Sequence, residues 1–379
     1  MLRQLLPFIF ILSLVSGCNS DKSNANKGPI QIKEVSSHTL QLQLGVLPKK
    51  ISHRFDTFFR NRQLSCHLTG SFLIAKGDLI YQNSFGKRVG RHSDDITTKD
   101  VFQIARVSKF ITALCIARLC QDSVINLNDS IQQYIPDFKF HQITIRQLLT
   151  HNSGLPEYTY LTDSGWLNDT LPKTNKDAVK LLSNTQLDAY YTAGTRFDYC
   201  NSNYMMLAHI AEKATGKHFS ELVTQYIKIP AGLDSMHIYN PKNKTIESYP
   251  VKGLRGDYSI IPDHQLNHIY GDKSVFINCL ELFKIYKAFR KGLIINQQFM
   301  EQMLSKQIKV KENQYYGFGI RTTLLDNGEQ WHYHNGWWRG YRSYFWFNMK
   351  SDECIIVLTN RLKCGFLNTR DLILLLQNP

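Results

Sequence analysis

The spacing of apolar positions changes along the chain, and the changes mark out its architecture. In VLPKKISHRFDTFFRN (46–61), Ile51, Phe55, Phe58 and Phe59 recur with a helical period. SFLIAKG (71–77) and LIYQNSFGK (79–87) read as two strands separated by little more than Asp78, a hairpin pattern. Residues 107–120 are apolar almost throughout, with Val107, Phe110, Ile111, Leu114, Ile116, Ala117 and Leu119. A helix apolar on most faces is a buried helix. INLNDSIQQYIPDF and ITIRQLLTHNSGLPEY follow, and a mostly helical stretch runs to about residue 300.

The pattern switches again near the end. GFGIRTTLL, QWHYHNGWW, YRSYFWFNM and ECIIVLTN read as successive antiparallel strands, with Asp326-Asn327-Gly328 as one turn. Residues 366–378, FLNTRDLILLLQN, close the chain as a helix. Strands at both ends with helices between them predict an α/β (α+β) domain. It has one antiparallel sheet built from N- and C-terminal strands, helices on its faces and an inserted, mainly helical region. A site is expected between the sheet and the insertion.

The first residues carry a different signal. Arg3 precedes an apolar run from Leu5 to Val15, too short to span a membrane comfortably and suited to a signal peptide. It ends in Leu14-Val15-Ser16-Gly17-Cys18, which resembles a lipoprotein processing site with Cys18 as the lipidated residue. The expected division is a signal peptide at 1–17, a tether at 18–44 and a folded domain at 45–379. The Asn-, Ser-, Lys- and Gly-rich residues 19–30 suit a flexible linker. This places the protein in a bacterial envelope, lipid-anchored to a membrane on the periplasmic or surface side.

Composition narrows the function classes. Of 379 residues, 43% are hydrophobic, which excludes a disordered chain and supports a large core. The net charge of +14 falls to +13 without residues 1–17, because only Arg3 is lost. No run of five basic residues occurs, so the charge reads as a scattered basic surface and nucleic acid is not an expected partner. The eight cysteines are Cys18, Cys66, Cys115, Cys120, Cys200, Cys279, Cys354 and Cys364. With Cys18 lipidated, seven remain at irregular spacing, neither a disulfide framework nor a zinc site. Most are expected to be small buried hydrophobes. No acidic, His or Cys cluster has metal-ligand spacing and no glycine-rich phosphate loop occurs, so no metal or cofactor is expected.

Four segments carry candidate chemistry. They are Val101-Phe102-Gln103-Ile104-Ala105-Arg106-Val107-Ser108-Lys109-Phe110, Leu148-Leu149-Thr150-His151-Asn152-Ser153-Gly154-Leu155-Pro156, Phe197-Asp198-Tyr199-Cys200-Asn201-Ser202-Asn203-Tyr204 and His334-Asn335-Gly336. In this order they resemble the class C β-lactamase, DD-peptidase and esterase family of serine hydrolases. That family commonly reads F-x-I-A-S-V-S-K, L-L-T-H-T-S-G-L-P, F-x-Y-S-N and H-x-G in these places. Tyr315-Tyr316-Gly317-Phe318-Gly319 matches the family's Y-G-x-G strand. The resemblance covers roughly residues 45–365 and implies a β-lactamase/transpeptidase-like fold. It also implies site roles for Lys109, Tyr199, Asn201, His334 and Gly336.

The family's chemistry uses a serine three residues before the lysine, one turn away on the same helix face. The lysine and the tyrosine of Y-x-N take the serine proton, and the serine attacks an acyl carbon. The H-x-G strand and a backbone N–H near the nucleophile hold the developing oxyanion. Here the position three before Lys109 is Arg106. A guanidinium stays protonated and has no lone pair suited to acyl attack. Ser108 is about 100° around the helix from Lys109 and faces elsewhere. Cys200 is a second candidate thiol, but the middle residue of Y-x-N points away from the pocket in the family pattern. The other S-x-x-K match, Ser84-Phe85-Gly86-Lys87, ends a strand and carries no chemistry.

Several readings stay open at this stage. Arg106 beside Lys109 pushes the lysine towards its neutral form unless an anion lies between them. Arg106, Lys109 and His334 then form a pocket for a carboxylate or phosphate. Alternatively, Arg106 plugs an idle site by pairing with an Asp or Glu. Tyr199 and Asn201 are read as site residues, His151 and Asn152 as loop supports, and Trp337 as pocket lining. The leading function is a non-acylating, ligand-binding relative of the family, with a peptidoglycan-stem-like, acyl or anionic small-molecule ligand. The alternatives are a working esterase, amidase or peptidase with another nucleophile, and a structural envelope protein contacting acidic polymers.

Overall fold

The computed structural model describes residues 39–165, 173–239, 251–362 and 367–377. The expected signal peptide, Cys18 and the tether up to residue 38 lie outside the described residues. Within residues 39–44, the end of the expected tether, Thr39, Gln41, Gln43 and Leu44 are exposed. Leu40 is buried and its N–H donates to the Pro230 carbonyl at 2.9 Å.

In chain order the elements are β1 (Gly45–Val46), α1 (Lys49–Cys66), β2 (Gly70–Lys76), β3 (Leu79–Phe85), β4 (Phe102–Gln103) and α2 (Ser108–Gln121). The helical insertion follows: α3 (Ile145–Leu149), α4 (Tyr158–Gly165), α5 (Asn175–Asn184), α6 (Asn201–Thr215) and α7 (Phe219–Val223). After β5 (His237–Ile238) and β6 (Val275–Ile277) come α8 (Cys279–Arg290) and α9 (Gln297–Leu304). The chain ends with β7 (Ile308–Lys311), β8 (Gln314–Tyr316), β9 (Arg321–Leu324), β10 (Gln330–Trp338), β11 (Tyr341–Asn348), β12 (Glu353–Thr359) and α10 (Thr369–Gln377).

The main sheet runs β1-β3-β2-β12-β11-β10-β9-β8-β7 and is antiparallel except where β1 meets β3. N- and C-terminal strands thus share one sheet, joined where β2 pairs β12. Alternation along each strand assigns its faces. On β12, Ile355 and Val357 pack with Phe55, Phe59 and Leu372 of α1 and α10. Cys354, Ile356 and Leu358 pack on the opposite face with α2 and α8. Helices therefore cover both faces. Ser108–Leu119 of α2 is buried throughout, as its nearly continuous apolar run requires.

Three features differ from the sequence reading. A small sheet, β4-β6-β5, forms beside the main one, and its strands β5 and β6 lie within the segment expected to be helical. The β7–β8 hairpin was not anticipated, because its alternating Ile308, Lys309, Val310 and Lys311 belong to a short edge with no fully buried position. GFGIRTTLL forms a strand only from Arg321. Its Gly317–Ile320 part is a turn, and at Gly319 (φ +70°) an added Cβ would come 2.6 Å from the Lys109 carbonyl oxygen. Cys66 is disulfide-bonded, whereas Cys115, Cys120, Cys200, Cys279 and Cys354 are free.

Candidate active site

The turn before α2 organises the site. Ala105–Val107 is a single 3-10 turn, and Ala105 sits at φ +46°. An alanine in the left-handed region costs roughly 1–2 kcal/mol and persists only where the surroundings impose it. Here the adjoining backbone is clamped on two sides. The Ile104 N–H donates to the Val275 carbonyl at 3.0 Å, and Ser343 Oγ donates to the Ile104 carbonyl at 2.7 Å. β10 crosses so closely that a Cβ on Gly336 would lie 2.6 Å from the Ile104 oxygen and 2.9 Å from the Arg106 nitrogen. Only glycine permits this approach.

Lys109, in the first turn of α2, is completely buried. Its ammonium donates to Asn201 Oδ1 at 2.8 Å and to the Asp272 carbonyl at 3.0 Å, and lies 5.1 Å from the centre of the Tyr199 ring. Burial, opposed by Asp272 and aided by Arg106, brings its pKa down to about 7. Asn201 is oriented from behind. Glu157 Oε2 accepts from the Asn201 backbone N–H at 2.7 Å and from its Nδ2 at 3.0 Å. That leaves Oδ1 for Lys109. The Glu157 carboxylate also sits at the N-terminus of α6, where the helix dipole favours a negative charge.

The two histidines belong to one relay. His151 Nδ1 accepts from the Cys200 N–H at 3.2 Å and from Asn203 Nδ2 at 3.1 Å. Its proton therefore resides on Nε2, which donates to the Tyr316 hydroxyl at 3.1 Å. The Tyr316 hydroxyl in turn donates a hydrogen bond to His334 Nε2 at 3.3 Å, and His334 Nδ1 donates to the Asn335 carbonyl at 2.9 Å. Every donor meets an acceptor when both rings are neutral. Burial, reinforced by Lys109 and Arg321, holds both histidines well below their usual pKa. Both nitrogens of His334 are therefore engaged, Nε2 with the Tyr316 hydroxyl and Nδ1 with the Asn335 carbonyl. His151 does more than support a loop, since it fixes the tautomer of His334 through Tyr316.

Arg106 is half-buried, and its guanidinium turns along β10. It donates to the Trp337 carbonyl at 2.9 Å and lies 6.0 Å from the Trp337 ring centre. Among the described residues it has no Asp or Glu partner, so the ion-paired plug expected as one alternative does not form. Trp337 is 47% exposed, as a rim residue is. Trp338 contributes as well. Its Nε1 donates to Asn267 Oδ1 at 2.5 Å, and the Lys273 ammonium lies 4.9 Å from its ring centre.

The hydroxyls and thiols near Lys109 are otherwise engaged. Ser108 is buried and its Oγ accepts from the Val275 N–H at 3.3 Å. Cys200 is buried, its Sγ directed to the Leu155 carbonyl at 3.4 Å, and burial pushes its thiol far up. Ser153 Oγ donates to Asn203 Oδ1 at 2.5 Å and Ser202 Oγ to the Pro156 carbonyl at 2.5 Å. The Tyr199 hydroxyl stands apart: it is buried and has no hydrogen-bond partner among the described residues. Burial raises its pKa well above the usual phenol value, so it remains protonated. Ser84 and Lys87 serve elsewhere, bonded to the Ile96 carbonyl and to Asp95.

Four charged groups of the site escaped the sequence reading. Lys273 is buried against Asp272 (3.1 Å) and the Tyr158 hydroxyl. Arg321 lies 5.5 Å from the ring centres of both Tyr199 and Tyr316, with no Asp or Glu partner among the described residues. Glu157 follows the recognised His151–Pro156 segment directly, a neighbour that the motif could have flagged. Asp272, Lys273 and Arg321 have no local signal, since only the fold brings them to Lys109 and Tyr199.

The fold and this constellation define a class, and comparison with known proteins gives the family. The Beta-lactamase family pattern matches residues 55–377, and the chain belongs to the β-lactamase family. It is 27% identical over 329 residues to penicillin-binding protein 4* of Bacillus subtilis, covering 83% of this chain and 72% of that protein. It is 26% identical to a teichoic acid D-alanine hydrolase of Staphylococcus aureus, covering 73% of this chain and 66% of the other. Among solved structures, FmtA of Staphylococcus aureus superposes with a TM-score of 0.71 at 20% identity, over 89% of this chain and 91% of that one. D-amino acid amidase of Ochrobactrum anthropi superposes with a TM-score of 0.68 at 19% identity, over 82% and 90%. The two superpositions establish the shared β-lactamase/transpeptidase-like fold.

Proposed function

We propose that this protein is a non-acylating member of the β-lactamase family that binds a D-aminoacyl or related anionic ligand at the bacterial envelope, held there by a lipid on Cys18. One observation carries the reading. The residue three before Lys109 is a guanidinium, while Ser108, Ser153, Ser202 and Cys200 are buried and committed to other partners. A lysine of pKa about 7 is suited to accept a proton, yet no side chain beside it supplies one to a nucleophile.

The same groups suit a ligand. Among the described residues Arg106 and Arg321 lack carboxylate partners and the Tyr199 hydroxyl has no acceptor, while Lys109 is charged for about half the time near neutral pH. An oxyanion satisfies all of them. The names of two similar proteins, a teichoic acid D-alanine hydrolase and a D-amino acid amidase, support a D-aminoacyl compound as its carrier. The names of the penicillin-binding and teichoic acid relatives support an envelope location.

The test is thermal melting with N-acetyl-D-alanyl-D-alanine. The expected result is a rise in Tm that Arg106→Ala removes. No shift in the native protein would count against the reading. A working hydrolase is the competing reading, favoured by the tuned Lys109, and covalent labelling of the native protein distinguishes the two.

A further inference from the structure

A second cationic site lies away from Lys109, at the end of the sheet where β12 finishes. A cavity of about 770 Å³, within the size range of small-molecule sites, is lined by Lys87, Arg91, Asp257, Tyr258 and Arg361, among others. Arg361 is only 3% exposed. Its guanidinium donates to the His67 carbonyl at 3.2 Å and to the Gly256 carbonyl, while its Nε is buried without an acceptor. It makes no ion pair with Asp or Glu among the described residues.

Tyr258 joins two of these cations. The Arg361 guanidinium carbon lies 3.7 Å from the centre of its ring, and that of Arg91 lies 5.3 Å from the same centre. Tyr258 holds this position at φ +72°, in the left-handed region that a tyrosine rarely adopts. The nearby Asp257 carboxylate offsets part of this charge but makes no direct ion pair with Arg91 or Arg361 among the described residues. Asp257 Oδ1 is occupied by the Ser259 N–H at 3.0 Å and the Ser259 hydroxyl at 2.7 Å. Two guanidiniums gathered on one ring repel each other, and a buried one without a direct ion pair is costly. An incoming oxyanion relieves both penalties and gains charge-assisted hydrogen bonds.

We propose that this cavity is a second ligand site, which takes the phosphate group of a phosphate ester. Its volume accommodates an organic carrier beyond the anion; Arg91 is the cation that recruits it, aided by Lys87, whose ammonium also pairs with the exposed Asp95 at 2.9 Å. The site is independent of the ligand proposed for Arg106 and Lys109.

Isothermal titration calorimetry on the full-length protein tests it, with inorganic phosphate and glycerol 3-phosphate as probes. Glycerol 3-phosphate is expected to bind saturably and more tightly than phosphate. The double variant Lys87→Ala/Arg91→Ala is expected to weaken it at least tenfold with an unchanged Tm, and Arg106→Ala to leave it within twofold. Absence of saturable binding overturns the proposal. So does tighter binding of inorganic phosphate than of the ester, or loss in Arg106→Ala with retention in the double variant.

Discussion

The Lys109 ammonium rests 2.8 Å from Asn201 Oδ1, three residues after the guanidinium of Arg106. On the proposed reading, Arg106 stands where the family's nucleophile would, and Lys109 has nothing to activate.

Arg106→Ser should therefore restore reactivity. A serine there stands one helical turn before Lys109, whose pKa of about 7 suits proton abstraction near neutral pH. Gel fluorescence with a labelled penicillin is expected to show a covalent band for the variant. An unlabelled variant with native Tm would mean that the pocket differs from a working one by more than this side chain.

Lys109 also sets a pH dependence of stability. Its folded pKa, about 7, lies below the unfolded value of 10.5. The unfolded chain binds more protons in that window, so stability rises as pH increases from about 7 towards 10.5. Lys273, lowered chiefly by burial, adds with the same sign. Urea unfolding at pH 7 and pH 9 is expected to show greater stability at pH 9, with a shallower rise for Lys109→Met. Ligand binding should run the other way, tighter at pH 6 than at pH 8.5, because Lys109 is charged below 7.

Glu157→Gln tests the orientation of Asn201. The substitution weakens two hydrogen bonds to a buried carboxylate, at a cost of about 1–3 kcal/mol in unfolding free energy. It also removes a negative charge that raises the Lys109 pKa. NMR titration of the lysine should give a lower pKa in the variant. An unchanged pKa would refute the coupling.

Gly336→Ala probes the clamp between β10 and the Arg106 turn. The new methyl meets Ser343 Oγ at 2.3 Å and two backbone atoms that cannot swing aside. A loss of about 1–3 kcal/mol is expected in chemical denaturation, typical of an overfilled contact. Native-like stability would show that the strand retreats.

Much of the fold was legible because long, strongly patterned segments dominate it. The apolar run of α2 and the alternating β10, β11 and β12 each state their own burial. The short β4, β5 and β6 were not legible, since two or three residues carry no period and their pairing is decided by distant chain. The site divided in the same way. Lys109, Tyr199, Asn201, His334 and Gly336 lie in contiguous motifs and converge as expected. The neutral state of His334 was hidden, because it depends on Tyr316 and His151 from other segments. Arg321 and Lys273 were invisible for the same reason: their meaning comes from Tyr199 and Asp272 across the fold.

Intact-mass spectrometry of the native protein bears most directly on the absence of a nucleophile. The protein is incubated in excess with a fluorescent penicillin and, separately, with a fluorophosphonate, and the mass is followed over time. The expected spectrum retains the unmodified mass throughout. An adduct on any residue lining the Lys109 pocket would contradict the account.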